Sequence, residues 1–136
     1  MNVKKFKLSK TSLKRLENID EKLVKIVKNA IKETKVDFFV VEGFRTAERQ
    51  NELFRKGLSE LDGYNKKSAH QLGLAVDVCP LRNGMPLWEL EGNEKEWLEV
   101  GRAMLRSARL LDVCLEWGLT YKIGDGYDLP HFQIKD

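Results

Sequence analysis

Val113-Cys114-Leu115-Glu116-Trp117 and His131-Phe132-Gln133-Ile134 are the two stretches on which the fold class turns. Each alternates apolar with polar residues, the period of a half-buried strand, and both follow closely on the last helical stretch. Upstream, Val36-Asp37-Phe38-Phe39-Val40-Val41 is dense in β-branched and aromatic residues and ends at Glu42-Gly43, a strand with a tight exit. Leu74-Ala75-Val76-Asp77-Val78-Cys79 reads as a buried strand ended by Pro80, and its one carboxylate needs a partner. Strands and helices therefore mix without a regular βαβ alternation. The expected class is α+β, a small mainly antiparallel sheet packed with helices.

Between these strands lie the helices. Leu13, Leu16, Ile19, Leu23, Ile26, Val27, Ala30 and Ile31 recur at spacings of three and four, predicting helix over residues 12–34, with a break near Asn18 and Asp20 as cap of a second piece. Thr46 to Gly57 is a short helix with Thr46 as N-cap and Gly57 as stop. Leu58 to Ser68 is polar and shows neither period, so it is a surface loop, and Arg82 to Pro86 is a turn. Asn93-Glu94-Lys95-Glu96 has the form of a capping box, opening a helix with Trp97, Val100, Met104, Ala108 and Leu111 on one face. Gly118 to Tyr127, with three glycines, is a loop.

The chain has 136 residues, 42% apolar and 33% charged, enough for one core and hence a single domain spanning 1–136. A mean hydropathy of −0.44 and the absence of low-complexity tracts argue against disorder. No apolar run approaches the ~18–20 residues of a membrane span, so no membrane insertion is expected. The basic N-terminus lacks the apolar stretch of a secretory signal, which places synthesis and first residence in a cytoplasm. Its 24 basic and 21 acidic residues give a net charge of +3 without a basic block. That does not suggest nucleic-acid binding, although it would help adsorption to an anionic polymer such as a cell wall. A monomer is expected. Cys79 and Cys114 are too few for a disulfide framework and read as buried thiols.

The chain has only two histidines, each near a carboxylate at a strand edge: His70 before Asp77, and His131 after Asp128. Two imidazoles and a carboxylate make a three-ligand zinc site whose fourth position stays open to water. Gly73, between His70 and Asp77, would permit a tight turn that brings both to one ion. His131 would come beside Asp77 if the two strands pair. Pro130 restricts Leu129 to extended conformations, so Asp128 could reach over the metal without ligating it and act as general base in amide hydrolysis. On spacing alone a second reading stays open, in which these are surface or core residues of no special role. The helical His-Glu-x-x-His pattern and the Gly-x-Ser-x-Gly elbow are both absent. Cys79, two residues after Asp77 on the same strand face, is a further soft donor to be considered. Trp88, Trp97 and Trp117 read as core or groove wall.

Ser68-x-His70-x-x-Gly73-x-Ala75-x-Asp77, followed by Asp128-x-Pro130-His131, resembles the zinc D-Ala-D-Ala carboxypeptidase family of the VanY type. Within it the chain is most similar to phage endolysins that are L-alanyl-D-glutamate endopeptidases. The resemblance extends through Val41-Glu42-Gly43-Phe44-Arg45-Thr46, Glu48-Arg49-Gln50, Leu115-Glu116-Trp117-Gly118 and Pro130-His131-Phe132-Gln133. It implies a Hedgehog/D-Ala-D-Ala peptidase-like fold and Zn2+ as cofactor, bound by His70, Asp77 and His131, with Asp128 as catalytic carboxylate. It also places Arg45 in the active site, where a guanidinium can pair with the substrate carboxylate or the developing oxyanion; from the residues alone Arg45 is a solvated helix-start arginine. Gln50 and Ser68 are implied as additional hydrogen-bonding residues for substrate. The implied partner is a peptidoglycan stem peptide, and the implied role is host lysis by an enzyme that waits in the cytoplasm until the membrane is opened. A D,D- or L,D-carboxypeptidase of the same fold and an inactive wall-binding domain are the rival readings. Trp117-Gly118-Leu119-Thr120-Tyr121 departs from the Trp-Gly-Gly-Asp-Trp common among relatives, which leaves the cleft rim open.

Overall fold

The computed structural model describes residues 5–118, 122–123 and 126–135. In chain order the elements are α1 (Lys10–Arg15), α2 (Glu21–Glu33), β1 (Phe38–Glu42), α3 (Ala47–Arg55), β2 (Ala75–Arg82), β3 (Met85–Pro86), α4 (Glu94–Leu110), β4 (Leu115–Trp117), β5 (Lys122–Ile123), β6 (Gly126–Tyr127) and β7 (His131–Ile134). The sheet runs β1-β2-β7-β4, with β3 hairpinned onto β2, and every pairing is antiparallel. This is the expected α+β class.

The opening helical region breaks where the residues allow it. Asn18 takes a left-handed turn at φ 65°, and Asp20 then accepts a hydrogen bond from the Lys22 amide to cap α2. The apolar stripe of α2, Leu23, Ile26, Val27, Ala30 and Ile31, is buried together with Val100, Met104 and Ala108 of α4. Both helices pack on the sheet face made by Phe38, Val40, Val76, Val78, Trp117 and Phe132, where the Trp117 and Phe132 rings stack at 5.5 Å. Each such side chain contributes roughly 1.5–3 kcal/mol by leaving water. The strand alternation then turns Asp77, His131 and Gln133 to the opposite face. The core builds a rigid floor, and the chemistry sits on its other side.

Several local expectations are corrected. Strand β2 does not end at Pro80 but continues to Arg82. Val78 donates to Pro130 on the β7 side and Leu81 to Asp37 on the β1 side. Pro80 faces the edge that β3 takes up after β7, where its carbonyl accepts from Leu87; the Leu87 carbonyl that an N–H at Pro80 would meet accepts instead from Trp97 Nε1, so the missing donor leaves no acceptor unpaired. Arg82 to Pro86 is the predicted turn, now seen as the tip of the β2–β3 hairpin, with Asn83 and Gly84 both at positive φ. The capping box does not form. Asn93 makes no side-chain cap, and its Oδ1 and the Glu96 carboxylate both accept from Arg82. Leu111 is the exposed C-cap residue of α4, outside its buried face, and β4 begins at Leu115 and not at Val113. Cys79 is buried but Cys114 is exposed. Trp97 and Trp117 are core residues, whereas Trp88 is exposed and sits edge-on to Phe39. Within the predicted loop Gly118–Tyr127, β5 and β6 pair as a short ribbon; Leu119, Thr120 and Tyr121 of the cleft-rim departure lie outside the described residues.

Candidate metal centre

Three elements bring the two histidines and Asp77 together. His70 sits in a turn after the long loop, where Leu74 and Leu72 donate to the Ala69 carbonyl and Gly73 to the His70 carbonyl. Gly73 holds φ 72°, and a Cβ there would lie 2.7 Å from the Asn18 carbonyl, so glycine is required both for the turn and for its seat against the α1–α2 break. Asp77 and His131 are directly opposed across β2 and β7, as the strand-pairing expectation required. The result is that Asp77 Oδ1 lies 3.2 Å from His70 Nε2 and 3.1 Å from His131 Nδ1. Among the described residues these three form the group whose ligand atoms, all within 4.8 Å of one another, could hold a metal ion.

The outer nitrogens of both rings are engaged elsewhere. His70 Nδ1 is 2.8 Å from the Gly43 carbonyl, and His131 Nε2 is 2.7 Å from Gln133 Oε1. Each of those oxygens only accepts, so each ring carries its proton on the outer nitrogen and turns a lone pair inward. Two lone pairs and a carboxylate oxygen then face one another with no proton between them. Such a set is satisfied by a cation. Two of the three separations in the set, 3.1 and 3.2 Å, are close to the roughly 3.3 Å edge of a tetrahedron with ~2.0–2.1 Å bonds, and imidazole nitrogen and carboxylate oxygen are donors zinc takes, so the residues fit the ion. Protons can take the place of the cation. When the inward nitrogens are protonated, hydrogen bonds from His131 and His70, with their charge, hold the Asp77 carboxyl well below the usual carboxylate range, although burial alone would raise it. Burial likewise opposes charge on His131, yet a bond from its protonated ring to Asp77, with the Gln133 bond and the Asp128 charge, carries its pKa upward.

Gly43 supplies the His70 acceptor at a point where the chain has no room. A Cβ on Gly43 would lie 1.9 Å from the Arg15 carbonyl oxygen. Gly43→Ala is therefore expected to push the end of β1 off α1 at a cost of about 1–3 kcal/mol, read as a lowered melting temperature. The same shift loosens the His70 ring.

Asp128 stands beside this group without joining it. Its Oδ2 is 4.0 Å from His131 Nδ1, and its side chain is 44% exposed, facing an open cleft of about 560 Å³ that His70, Asp77, His131, Arg45, Ser68 and Gln133 also line. Burial of the carboxyl and the Asp77 charge raise its pKa, against the pull of His131, His70 and Arg45. Cys79 does not contribute a donor: its thiol is buried, bonds the Pro80 carbonyl at 3.4 Å, and is pushed up by burial to about 11.

Arg45 lies in the cleft wall, and it is not solvated. Its Nε and Nη2 make a bidentate pair with Glu42, each at 2.8 Å, and its Nη1 donates to Gln50 Oε1 at 2.8 Å. Glu42 was not singled out in the sequence, because simple alternation along β1 puts Val41 opposite Asp77. A bulge between Val40 and Glu42 inserts one residue and sets Glu42 against Asp77 instead, on the site face. Gln50 is fully buried, with its Nε2 donating to Ser59 Oγ and the Leu61 carbonyl. It does not line the cleft, so the expectation of a substrate contact is corrected: it braces Arg45 against the 59–61 loop. Ser68 is buried at the cleft wall, where its Oγ accepts from the Gln71 amide and secures the His70 turn. Gln133 was missed as well. Its signal was present in the sequence, since a residue two positions after His131 on a strand shares its face.

An α+β fold whose sheet carries a His, Asp, His donor set and a separate carboxylate over an open cleft has the arrangement of a hydrolase that works around a cation. The comparisons agree on which one. Residues 4–131 match the family model of the phage L-alanyl-D-glutamate peptidases, and the chain belongs to that family. It is 30% identical to the L-alanyl-D-glutamate peptidase of Escherichia phage T5 over 130 residues, covering 96% of this chain and 90% of that one. It is also 30% identical over 110 residues to the peptidoglycan L-alanyl-D-glutamate endopeptidase CwlK of Bacillus subtilis (strain 168), covering 73% of this chain and 61% of CwlK. Among solved structures, the Serratia marcescens L-Ala D-Glu endopeptidase ChiX superposes with a TM-score of 0.81 at 31% identity, covering 95% of this chain and 90% of ChiX. The LD-carboxypeptidase LdcB, at 22% identity and a TM-score of 0.60 over 85% of this chain and 58% of its own, shares the fold.

Proposed function

We propose that the chain hydrolyses the L-Ala–D-Glu amide of peptidoglycan stem peptides, with a zinc ion held by His70 Nε2, Asp77 Oδ1 and His131 Nδ1. The observation that carries this reading is the inward-facing donor set with Asp128 poised 4.0 Å from one of its atoms. A divalent cation bound there supplies Lewis acidity that makes water nucleophilic near neutral pH and polarises the amide carbonyl. Asp128 takes the proton from the attacking water and then gives it to the leaving amine. Its exposed position lets it reach the incoming water.

Arg45 binds the negative charge of the substrate. In an L-Ala–D-Glu bond the D-residue carries a free carboxylate beside the scissile amide. Of the five N–H groups of a guanidinium, three are engaged by Glu42 and Gln50. The remaining two serve the substrate carboxylate or the developing oxyanion, and the fixed fork avoids reorganisation during reaction. Ser68 acts on substrate indirectly, through the His70 turn.

The proton acceptor must be ionised to work. Without a cation the burial of Asp128 and the Asp77 charge raise its pKa, so its protonation begins at a higher pH than for an ordinary aspartate. In the metal-free protein, carbon-13 NMR should find the Asp128 carboxyl titrating above the range of a normal aspartate, and zinc, whose charge favours the carboxylate, should move it down.

Family membership supports the peptidoglycan substrate and a role in lysing a phage host from within, the protein being held in the host cytoplasm until the membrane is opened. None of the described helices is long and apolar enough to cross a membrane. The test is mass spectrometry of Gram-negative sacculi digested with and without a chelator. New N-terminal D-Glu that disappears with chelator and returns with zinc is expected. Free D-Ala in its place would make the chain a carboxypeptidase, and binding without products would make it a wall-adhesion domain.

A further inference from the structure

We infer that Gln133 is the residue that selects the metal-binding tautomer of His131, and so sets the affinity of the site for its cation. This rests on the proposed zinc site but concerns a group that does not touch the ion. His131 and Gln133 are alternate residues of β7, both directed to the cleft face, and Gln133 lines the cleft beside the donor set. Its Oε1 lies 2.7 Å from His131 Nε2. Its backbone is held on both sides, opposite Ala75 in β2 and Glu116 in β4, so the amide is delivered from the most constrained part of the sheet.

The chemistry of an imidazole makes this hydrogen bond decisive. The neutral ring has one proton and two nitrogens. With Gln133 Oε1 as acceptor, that proton resides on Nε2, and Nδ1 presents its lone pair toward Asp77 and His70. With no acceptor at Nε2, the strongest acceptor left to the ring is Asp77 Oδ1, 3.1 Å from Nδ1. The proton then moves to Nδ1, and the same atom that should ligate the cation becomes a donor to a carboxylate that should also ligate it. Removing a single acceptor would thus disable two ligands. His70 faces no such competition, because the main-chain carbonyl of Gly43 fixes its tautomer and no side-chain substitution at that position removes the oxygen. The two histidines are held by different means, and only the His131 tautomer depends on a side chain.

The test compares zinc affinity of the full chain, by competition with a chromophoric chelator, in the parent protein, Gln133→Leu and Gln133→Glu. Gln133→Leu keeps the volume and removes the acceptor, and is expected to weaken binding about 10- to 100-fold, the usual range for a partner that orients a ligating histidine. Gln133→Glu keeps an acceptor at the same place and is expected to bind within about tenfold of the parent or more tightly. Equal affinity of Gln133→Leu and parent would overturn the inference, as would equal losses in Gln133→Leu and Gln133→Glu, which would mark a packing role. A measurement needing no variant stands beside these: nitrogen-15 NMR of the zinc-loaded parent should find His131 protonated at Nε2 and not at Nδ1, and the reverse would overturn the assignment even if Gln133→Leu failed to fold. A parent protein that binds no zinc would refute the site itself, an outcome distinct from failure of the Gln133 role.

Discussion

Asp128→Asn is expected to lower kcat by about 10²–10⁴-fold, the usual contribution of a positioned acid–base group, while zinc affinity and melting temperature stay near those of the parent. The substitution keeps the shape of the side chain and removes only its capacity to take a proton. The structure gives reasons why the rest should survive. The main chain of Asp128 bonds Gly118 and His131 through backbone atoms that the change does not touch. Its side chain is nearly half exposed and belongs to the cleft and not to the core. Its carboxyl has a raised pKa, partly from the nearby charge of Asp77, so making it neutral relieves a repulsion. Steady-state hydrolysis of a stem peptide, read beside a zinc titration, separates these effects. Near-normal cleavage by Asp128→Asn would show that the proton goes elsewhere.

His70→Ala is expected to fail differently, by losing the metal. Binding free energies of about 10–16 kcal/mol for four-ligand zinc sites imply roughly 2.5–4 kcal/mol per ligand, or on the order of 10²–10³-fold in affinity for one imidazole. Turnover at limiting zinc should fall by at least as much and recover in part when zinc is raised, a recovery that Asp128→Asn cannot show. The buried ring leaves a cavity beside Gly43, so some loss of melting temperature should accompany the substitution. Asp77→Asn should lose metal similarly, since it removes the negative charge that both histidines face.

Much of this architecture was legible in the residues. The paired strands at Asp77 and His131 follow from apolar alternation, and the helix break at Asn18 and the cap at Asp20 from local backbone chemistry. Pattern reading failed where tertiary contacts decide the outcome. Pro80 continues a strand because the Leu87 carbonyl opposite its nitrogen is satisfied by Trp97 Nε1 from another element, which no dipeptide rule reveals. Asn93 and Glu96 abandon their mutual cap because Arg82, on another element, offers both a charged partner. In the site, the donors were readable because their spacing reflects covalent neighbours and strand pairing. The bracing of Arg45 by Glu42 and Gln50 was not, because it depends on a bulge that inverts the facing of one strand and on a loop bond across nine residues. Sequence periodicity reports which face a residue occupies, but not which of its polar atoms are already engaged.

The most direct test of the metal-centred account is anomalous diffraction at the zinc edge from crystals of the zinc-loaded protein. One peak per chain is expected, about 2.0–2.2 Å from His70 Nε2, Asp77 Oδ1 and His131 Nδ1, with Asp128 outside bonding distance. A peak elsewhere, or none with those three atoms turned apart, would contradict it.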